Sequence, residues 1–143
     1  SQFFGEVSNK FVYQWSDAPW INGKRLPKKY SLEEVKIISP CKPGKVIGVA
    51  VNYPGATGLS SENRRPLVFI KPSSSVIGPY ENIRPPKGVN KIWGEGELGI
   101  VIGKKLSKAN SNEALEGIFG YTIGNDVSCE NNNSVFWCSF VIS

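Results

Sequence analysis

Short apolar runs separated by turn residues make up most of this chain. KVIGVAVNY, from Lys45 to Tyr53, and LVFIKP, from Leu67 to Pro72, are continuous apolar runs that predict buried strands. FVYQW, from Phe11 to Trp15, has the alternation of a half-buried strand. GYTIGND, from Gly120 to Asp126, predicts another strand that ends in a charged residue. The pattern therefore predicts a fold built mainly from strands.

Helical signals are confined to one short segment, NSNEALEGIFG. Asn110 and Glu113 have the spacing of a capping box, and Gly120 is placed to end the helix. The fifteen glycines and ten prolines of the chain also favour short strands and turns over long helices. One short helix is too little to cover a parallel sheet, so the sequence predicts an α+β fold that is mostly β.

The segment EGELGIVIG is predicted to be a strand, and it carries two carboxylates. Residues i and i+2 of a strand lie on one face, about 6.5–7 Å apart, so Glu95 and Glu97 share a face. Leu98, Ile100 and Ile102 share the other face and are expected to supply the packing. Two neighbouring carboxylates in a partly buried place persist only if one is protonated or a cation neutralises them.

Asp126 adds a third carboxylate at the predicted rim of the sheet. Three carboxylates without a histidine or paired cysteines make an all-oxygen site, which suits Mg²⁺, Mn²⁺ or Ca²⁺ rather than Zn²⁺. On spacing alone, a solvated strand face explains Glu95 and Glu97 more often than a metal does, and an Asp after a glycine is usually a turn residue. The pattern leaves both interpretations open.

The composition of the chain excludes several kinds of catalytic and metal site. Histidine is absent, which excludes His-based catalytic triads, imidazole zinc sites and His general bases. The net charge of +5 comes from scattered lysines and arginines without a nucleic-acid-binding motif, so we expect no nucleic-acid partner. The same charge favours a small anionic substrate.

Location is predicted from three further features. No apolar run approaches the roughly 18 residues that a membrane span needs, and the N-terminus shows no secretory signal, so we expect no membrane association. Three cysteines, an odd number without metal-binding spacing, indicate a reducing compartment. The predicted location is therefore cytoplasmic.

Several of these segments together resemble one enzyme family. KVIGVAVNY, PLVFIKPSSSVIGP and GEGELGIVIGKKLSKANSNEALEGIFGYTIGNDVS resemble the fumarylacetoacetate hydrolase family, and the resemblance covers most of residues 30 to 128. The third stretch is the most specific, because it joins an E-x-E strand, a short helix and GYTIGND at the spacing of the family.

The resemblance implies a fold, a cofactor and an activity. The fold is a mixed β-sandwich or roll, assembled as a homodimer. Glu95, Glu97 and Asp126 are implied to bind Mg²⁺ or Mn²⁺, with Ca²⁺ also compatible, and Lys71 is implied to be the lysine of the active-site pocket. The implied reaction converts a 2-oxo or 1,3-dicarbonyl acid through a metal-bound enolate, by C–C hydrolysis, decarboxylation, dehydration or isomerisation.

The chain also departs from the family pattern. After NY the family carries a His and a Glu on a lid that activates water, where this chain has Ala56 and Leu59. A second active-site lysine expected further along is missing, and the chain finishes NNNSVFWCSFVIS. Whether the chain is an enzyme therefore stays open, and the alternative is a truncated, catalytically silent relative that keeps metal binding or dimerisation.

The predicted organisation has three parts. Residues 1–40 form a small strand-rich unit, residues 41–130 a partial catalytic domain of the fumarylacetoacetate hydrolase type, and residues 131–143 a divergent tail. On this interpretation the family fold is incomplete at the C-terminal end.

Overall fold

The computed structural model describes residues 1–53, 65–131 and 134–142, except for the side chains of 134–138. Strands dominate, and the single α-helix in these ranges is short, which confirms the predicted fold class. The elements in chain order are β1 Gly5–Ser8, β2 Phe11–Trp15, β3 Arg25–Ser31, β4 Lys45–Ala50, β5 Leu67–Pro72, β6 Val76–Ile77, β7 Lys91–Ile102, α1 Ser111–Glu116, β8 Ile118–Asn131 and β9 Ser134–Ile142.

The N-terminal residues form a three-stranded antiparallel sheet in the order β1-β2-β3. The β1–β2 hairpin turns at Asn9, which adopts φ 55, a left-handed conformation that Asn tolerates better than most residues. Trp20, in the 3₁₀ turn Pro19–Ile21, packs edge-on against Phe4 and against Phe119 of β8. This aromatic contact joins the N-terminal sheet to the rest of the chain.

β4 and β5 pair as an antiparallel hairpin, which confirms two of the predicted strands. They are not buried on both faces, however. The face that carries Ile47 and Ile70, which are direct partners, is exposed, whereas Lys71 on the other face is buried. The prediction of buried strands was wrong for the face of Ile47 and Ile70, because an apolar run alone does not show whether a second layer covers each face.

The third sheet is mixed, in the order β6-β9-β8-β7. β7 and β8 form a long antiparallel hairpin, and their pairing extends from Lys91 opposite Glu130 to Ile102 opposite Ile118. β9 is antiparallel to β8, and the short β6 is parallel to β9. The hairpin therefore places the E-x-E segment beside GYTIGND, which is the arrangement that matters for the site.

The helix α1 follows the hairpin strand β7 and begins as predicted. The Asn110 side chain accepts from the Glu113 N–H, and the Glu113 carboxylate accepts from the Asn110 N–H. The helix ends at Glu116, with Gly117 as its C-cap, rather than at the predicted Gly120. It ends earlier because β8 begins at Ile118 to continue pairing with β7.

The buried apolar residues concentrate along β8 and β9. Val127, Cys129, Phe140 and Ile142 are buried there, while Val12 and Ala18 are buried in the N-terminal unit. β8 and β9 are the two inner strands of the four-stranded sheet.

The outer face of the β7–β8 hairpin contradicts one prediction. Leu98 is 65% exposed, and its cross-strand partner Ile123 is 71% exposed. Ile100 and Ile102 are exposed as well, so this face does not supply packing within the described residues. We call the exposed set of Leu98, Ile100, Tyr121 and Ile123 the apolar ladder.

Cys129 forms a disulfide, whereas Cys41 is free. Disulfides are rare in reducing compartments. This bond therefore does not support the predicted reducing compartment, and the cytoplasmic location stays a prediction. In the ranges that the structure describes, no helix is long and apolar enough to cross a membrane.

Candidate metal centre and active site

The β7–β8 register places the predicted carboxylates on one face of the hairpin. Glu95 lies directly opposite Asp126, and Glu97 lies opposite Gly124. Direct cross-strand partners in an antiparallel pair point to the same side, with Cβ atoms about 4.5–5.5 Å apart. Glu95, Glu97 and Asp126 therefore share a face, which the spacing predicted for the two glutamates only. The predicted position of Asp126 at the rim of the sheet was wrong, because β8 continues to Asn131 and pairs with both β7 and β9 at Asp126.

Lys71 reaches this face from the other hairpin. Its side chain is 2% exposed, and Asp126 is 6% exposed. The Lys71 ammonium forms an ion pair with Asp126 Oδ1 and donates to the Ser139 carbonyl oxygen at 3.2 Å. A buried charge persists only when it is paired and hydrogen-bonded. Lys71 is therefore not an ordinary surface lysine at a strand end, and it lies beside a predicted metal ligand.

The two glutamates have different hydrogen-bond donors. Trp93 Nε1 donates to Glu95 Oε1 at 2.7 Å, and the Tyr53 hydroxyl donates to Glu97 Oε2 at 3.1 Å. Neither Trp93 nor Tyr53 was among the site residues predicted from the sequence. Trp93 could have been found, because it precedes Glu95 by two positions and so shares its face. Tyr53 could not, because only the packing of the hairpins brings it to Glu97.

The side chains of the three carboxylates do not converge. Within residues 1–53, 65–131 and 134–142, no group of three or more His, Cys, Asp or Glu side chains is arranged to hold a metal ion. The structure therefore brings Lys71 to Asp126 and aligns Glu95 and Glu97 on the same face, but it does not gather the three carboxylates into one ligand cluster. The metal site stays a prediction.

The donor chemistry nevertheless fits a hard divalent cation. All three groups are carboxylates, which Mg²⁺ and Mn²⁺ prefer over nitrogen or sulfur ligands. Their backbone positions are adjacent on one face, so changes in side-chain torsions could bring their oxygens together. Glu95 is exposed and Glu97 half-buried, whereas Asp126 lies deeper, which would leave an entry path from the glutamate side.

Gly124 allows the Phe140 ring to approach β8 closely. A Cβ at this position would lie 2.4 Å from Cζ of Phe140. The Phe140 ring in turn has its centroid 5.8 Å from the Lys71 ammonium. Phe140 therefore packs against β8 beside the Lys71–Asp126 pair because Gly124 has no side chain.

A separate cavity of about 280 Å³ lies near the N-terminal aromatic contact. Burial raises the pKa of the Cys41 thiol, which disfavours its reactive thiolate form. Lys71 and the three carboxylates do not line this cavity, so it is distinct from the candidate metal centre. Its lining residues are Trp20, Pro40, Cys41, Val101, Phe119, Gly120, Tyr121 and Thr122.

Ala56 and Leu59, which stand where the family carries its His and Glu, lie outside the described residues.

Comparison with known proteins settles the ancestry. The family model described as fumarylacetoacetate (FAA) hydrolase C-terminal matches residues 45–136, which is well over half of the chain. The chain belongs to the fumarylacetoacetate hydrolase family. This match includes the β4–β5 and β7–β8 hairpins and all four of the predicted site residues.

Two relatives and one solved structure illustrate the similarity. Protein Rv2993c of Mycobacterium tuberculosis is 33% identical over 131 residues, covering 89% of this chain and 49% of that protein. The mitochondrial oxaloacetate tautomerase FAHD2A of Bos taurus is 35% identical over 104 residues, covering 68% of this chain and 32% of that protein. The chain thus spans half or less of the length of these relatives.

The solved structure supports the fold. A crystal structure of 2-hydroxyhepta-2,4-diene-1,7-dioate isomerase from Mycobacterium marinum superposes with a TM-score of 0.78 at 25% identity. The superposition covers 97% of this chain and 57% of that one. The strand-rich fold of the fumarylacetoacetate hydrolase type is therefore confirmed over nearly the whole chain.

Proposed function

We propose that this chain carries the metal-binding face of an enzyme that acts on a small 2-oxo or 1,3-dicarbonyl acid. Glu95, Glu97 and Asp126 would hold Mg²⁺ or Mn²⁺, and Lys71 would be the lysine of the active site. The observation that carries this proposal is the register of β7 and β8, which sets Glu95 opposite Asp126 while the buried ammonium of Lys71 meets Asp126.

Among the reactions of the family, tautomerisation or isomerisation fits this chain best. The similar proteins include an oxaloacetate tautomerase and an isomerase of a 2-hydroxydienoate, and both names describe proton or double-bond shifts in acids with an oxo or enol group. Hydrolysis needs an activated water, and this chain has no histidine to serve as its base. Decarboxylation and dehydration are the next candidates, since neither needs a lid dyad.

The residues at the candidate site would have different roles, which depend on their burial and charge. A bound divalent cation supplies Lewis-acid stabilisation of negative charge that develops on the oxygens of a 2-oxo acid. Lys71 adds a positive charge on the same face, because β5 places its side chain beside Asp126. The exposed Glu95 and the half-buried Glu97 leave the outer side of the face open to an anionic substrate.

The second candidate is a relative that is catalytically silent and keeps metal binding or dimerisation. It is favoured because a different side chain, from Tyr53, Trp93 or Lys71, binds each of the three carboxylates. Among the described residues the carboxylates therefore do not form a cluster that could hold a metal ion. The exposed apolar ladder also favours it, because such a surface suits association. Only the first candidate predicts turnover, whereas metal binding is compatible with both.

Metal binding is tested by titrating Mn²⁺ into the purified chain by calorimetry, with Glu97→Gln as the probe. Removing a ligand carboxylate is expected to weaken binding by about tenfold or more, since even outer-sphere partners of metal ligands change affinity by that amount. Glu116→Gln, at the exposed end of α1, is the matched control and should bind Mn²⁺ like the parent. Equal affinity of Glu97→Gln and the parent would contradict the proposed site.

Turnover is tested by following the enol-to-keto conversion of oxaloacetate by ultraviolet absorbance. The proposal expects a rate above the spontaneous one that EDTA abolishes and Mn²⁺ restores. A chain that binds Mn²⁺ but converts neither oxaloacetate nor another small 2-oxo acid would favour the silent relative.

A further inference from the structure

The Lys71 ammonium occupies a small buried pocket made by three strands. β5 supplies the lysine, β8 supplies the Asp126 carboxylate, and β9 supplies the Ser139 carbonyl oxygen. The electron-rich face of Phe140 completes the surroundings, with its centroid 5.8 Å from the ammonium. Every group that surrounds the ammonium in these contacts is negative or electron-rich, so the pocket is built to hold a cation.

This pocket overlaps the deepest part of the candidate metal centre. Asp126 is the most buried of the three carboxylates, and Glu95 lies directly opposite it on the neighbouring strand. A divalent cation that binds Glu95 and Asp126 would have to share the Asp126 carboxylate with the Lys71 ammonium. Two cations on one buried carboxylate repel each other, and little water is present to screen them.

We propose that Lys71 is an internal competitor for the divalent cation at Asp126. Its ammonium neutralises Asp126 in the metal-free chain, and the ion pair opens when a divalent cation binds. This inference rests on the proposed metal site and adds a residue that sets the metal affinity of that site. It also explains why the three carboxylates have separate donors here, since Asp126 is turned to Lys71 while Glu95 and Glu97 are held by Trp93 and Tyr53.

The exchange has a consequence for the substrate. Once it has left Asp126, the ammonium is expected to remain near this face, because β4 holds the backbone of β5 and the Lys71 side chain also contacts the Ser139 carbonyl oxygen of β9. A positive charge released beside the cation favours an anionic ligand there. Metal binding and anion binding are therefore expected to be coupled through one side chain.

The test compares the Mn²⁺ affinity of the parent chain with that of Lys71→Met by calorimetry. An opposite charge at hydrogen-bond distance changes the cation affinity of a carboxylate by about tenfold or more, so Lys71→Met is expected to bind Mn²⁺ about tenfold more tightly. Lys45→Met removes the same charge from the exposed start of β4, in the same hairpin, and should leave the affinity unchanged.

Thermal unfolding gives a second readout that does not depend on activity. Lys71→Met leaves Asp126 buried without its cation, so its metal-free Tm is expected to fall below that of the parent. Saturating Mn²⁺ would replace the missing charge, and it should raise the Tm of Lys71→Met by more than it raises the Tm of the parent. Lys71→Gln, which keeps an amide donor for Asp126, serves as a second variant if Lys71→Met fails to fold.

The outcomes separate this inference from the proposed function. Mn²⁺ binding by the parent with equal or weaker binding by both Lys71 variants overturns the competition and leaves the metal site standing. Absence of Mn²⁺ binding by the parent and by all variants overturns both. Tighter binding by the Lys71 variants together with their larger Mn²⁺-induced rise in Tm supports the competition.

Discussion

Trp93 holds one of the candidate metal ligands, because its indole Nε1 donates to Glu95 Oε1 at 2.7 Å. Such outer-sphere donors orient metal-binding carboxylates, and losing one typically costs about 10–100-fold in metal affinity. We therefore expect Trp93→Phe to weaken Mn²⁺ binding by about tenfold in a calorimetric titration.

A matched control for this variant is Trp15→Phe. Trp15 has a buried indole Nε1 that has no hydrogen-bond partner in the part of the chain that the structure describes. Trp15→Phe should therefore leave Mn²⁺ affinity unchanged. Similar losses of affinity in both variants would show that Trp93 acts through general packing and not through Glu95.

The Lys71–Asp126 pair predicts a large stability effect. Asp126→Asn leaves the buried Lys71 ammonium without its counter-charge, which typically costs about 3–5 kcal/mol when a buried pair is broken. The exposed pair of Arg25 and Glu6 provides the comparison, and Glu6→Gln should cost less than about 1 kcal/mol. Urea unfolding of the two variants measures the difference, and equal losses of stability would contradict the buried pairing.

For single residues, the sequence predicted which side chains share a strand face better than it predicted which groups they contact. The spacing of Glu95 and Glu97 was enough to place both on one face, because a strand alternates its side chains regularly. The burial of Lys71 could not be predicted from LVFIKP, since a lysine before a proline at a strand end is usually solvated. It is buried because β9 and Asp126 cover that face of β5.

Among the secondary-structure elements, the β7–β8 hairpin contains a glycine pair that tests its packing. A Cβ on Gly124 would meet the Phe140 ring at 2.4 Å, whereas a Cβ on Gly96 would meet nothing within 4 Å. Gly124→Ala is therefore expected to destabilise the fold by about 1–3 kcal/mol, as overpacking does. Gly96→Ala should be neutral or slightly stabilising, because a strand glycine has an entropic cost.

Denaturant unfolding of both alanine variants measures this difference. If Gly96→Ala proved as destabilising as Gly124→Ala, the packing of Phe140 against β8 could not be the cause.

The elements themselves were largely predictable, and their ends and pairing were not. Strand segments and the start of α1 followed from alternation and from the capping box of Asn110 and Glu113. The end of α1 at Glu116 depended on where β8 resumes pairing with β7, which is a property of the register. The register also set Glu95 opposite Asp126, and no feature of the sequence alone fixed that alignment.

For the whole molecule, the apolar ladder is the main departure from the packing predicted for the strands. Leu98, Ile100, Tyr121 and Ile123 are exposed together on the outer face of the hairpin, where packing was expected. An apolar pattern predicts that a face avoids water, but it does not say which element covers it. An exposed ladder of this kind is typical of an association surface.

The predicted homodimer can be tested on this surface. If two copies associate through the ladder, the chain should sediment as a dimer and Ile123→Lys as a monomer, because burying an unpaired lysine there is costly. Glu116→Lys, at the exposed end of α1, is the control and should leave the dimer intact. A monomeric parent chain would contradict the homodimer.

The central claim is that Glu95, Glu97 and Asp126 form one divalent-cation site, and paramagnetic broadening by Mn²⁺ tests it most directly. In ¹H–¹⁵N spectra of the chain, substoichiometric Mn²⁺ should broaden the amide signals around these three residues first. The signals of Ser111–Glu116 in α1 should persist, although this helix also carries two glutamates. Broadening centred on α1, or no selective broadening at all, would contradict the account.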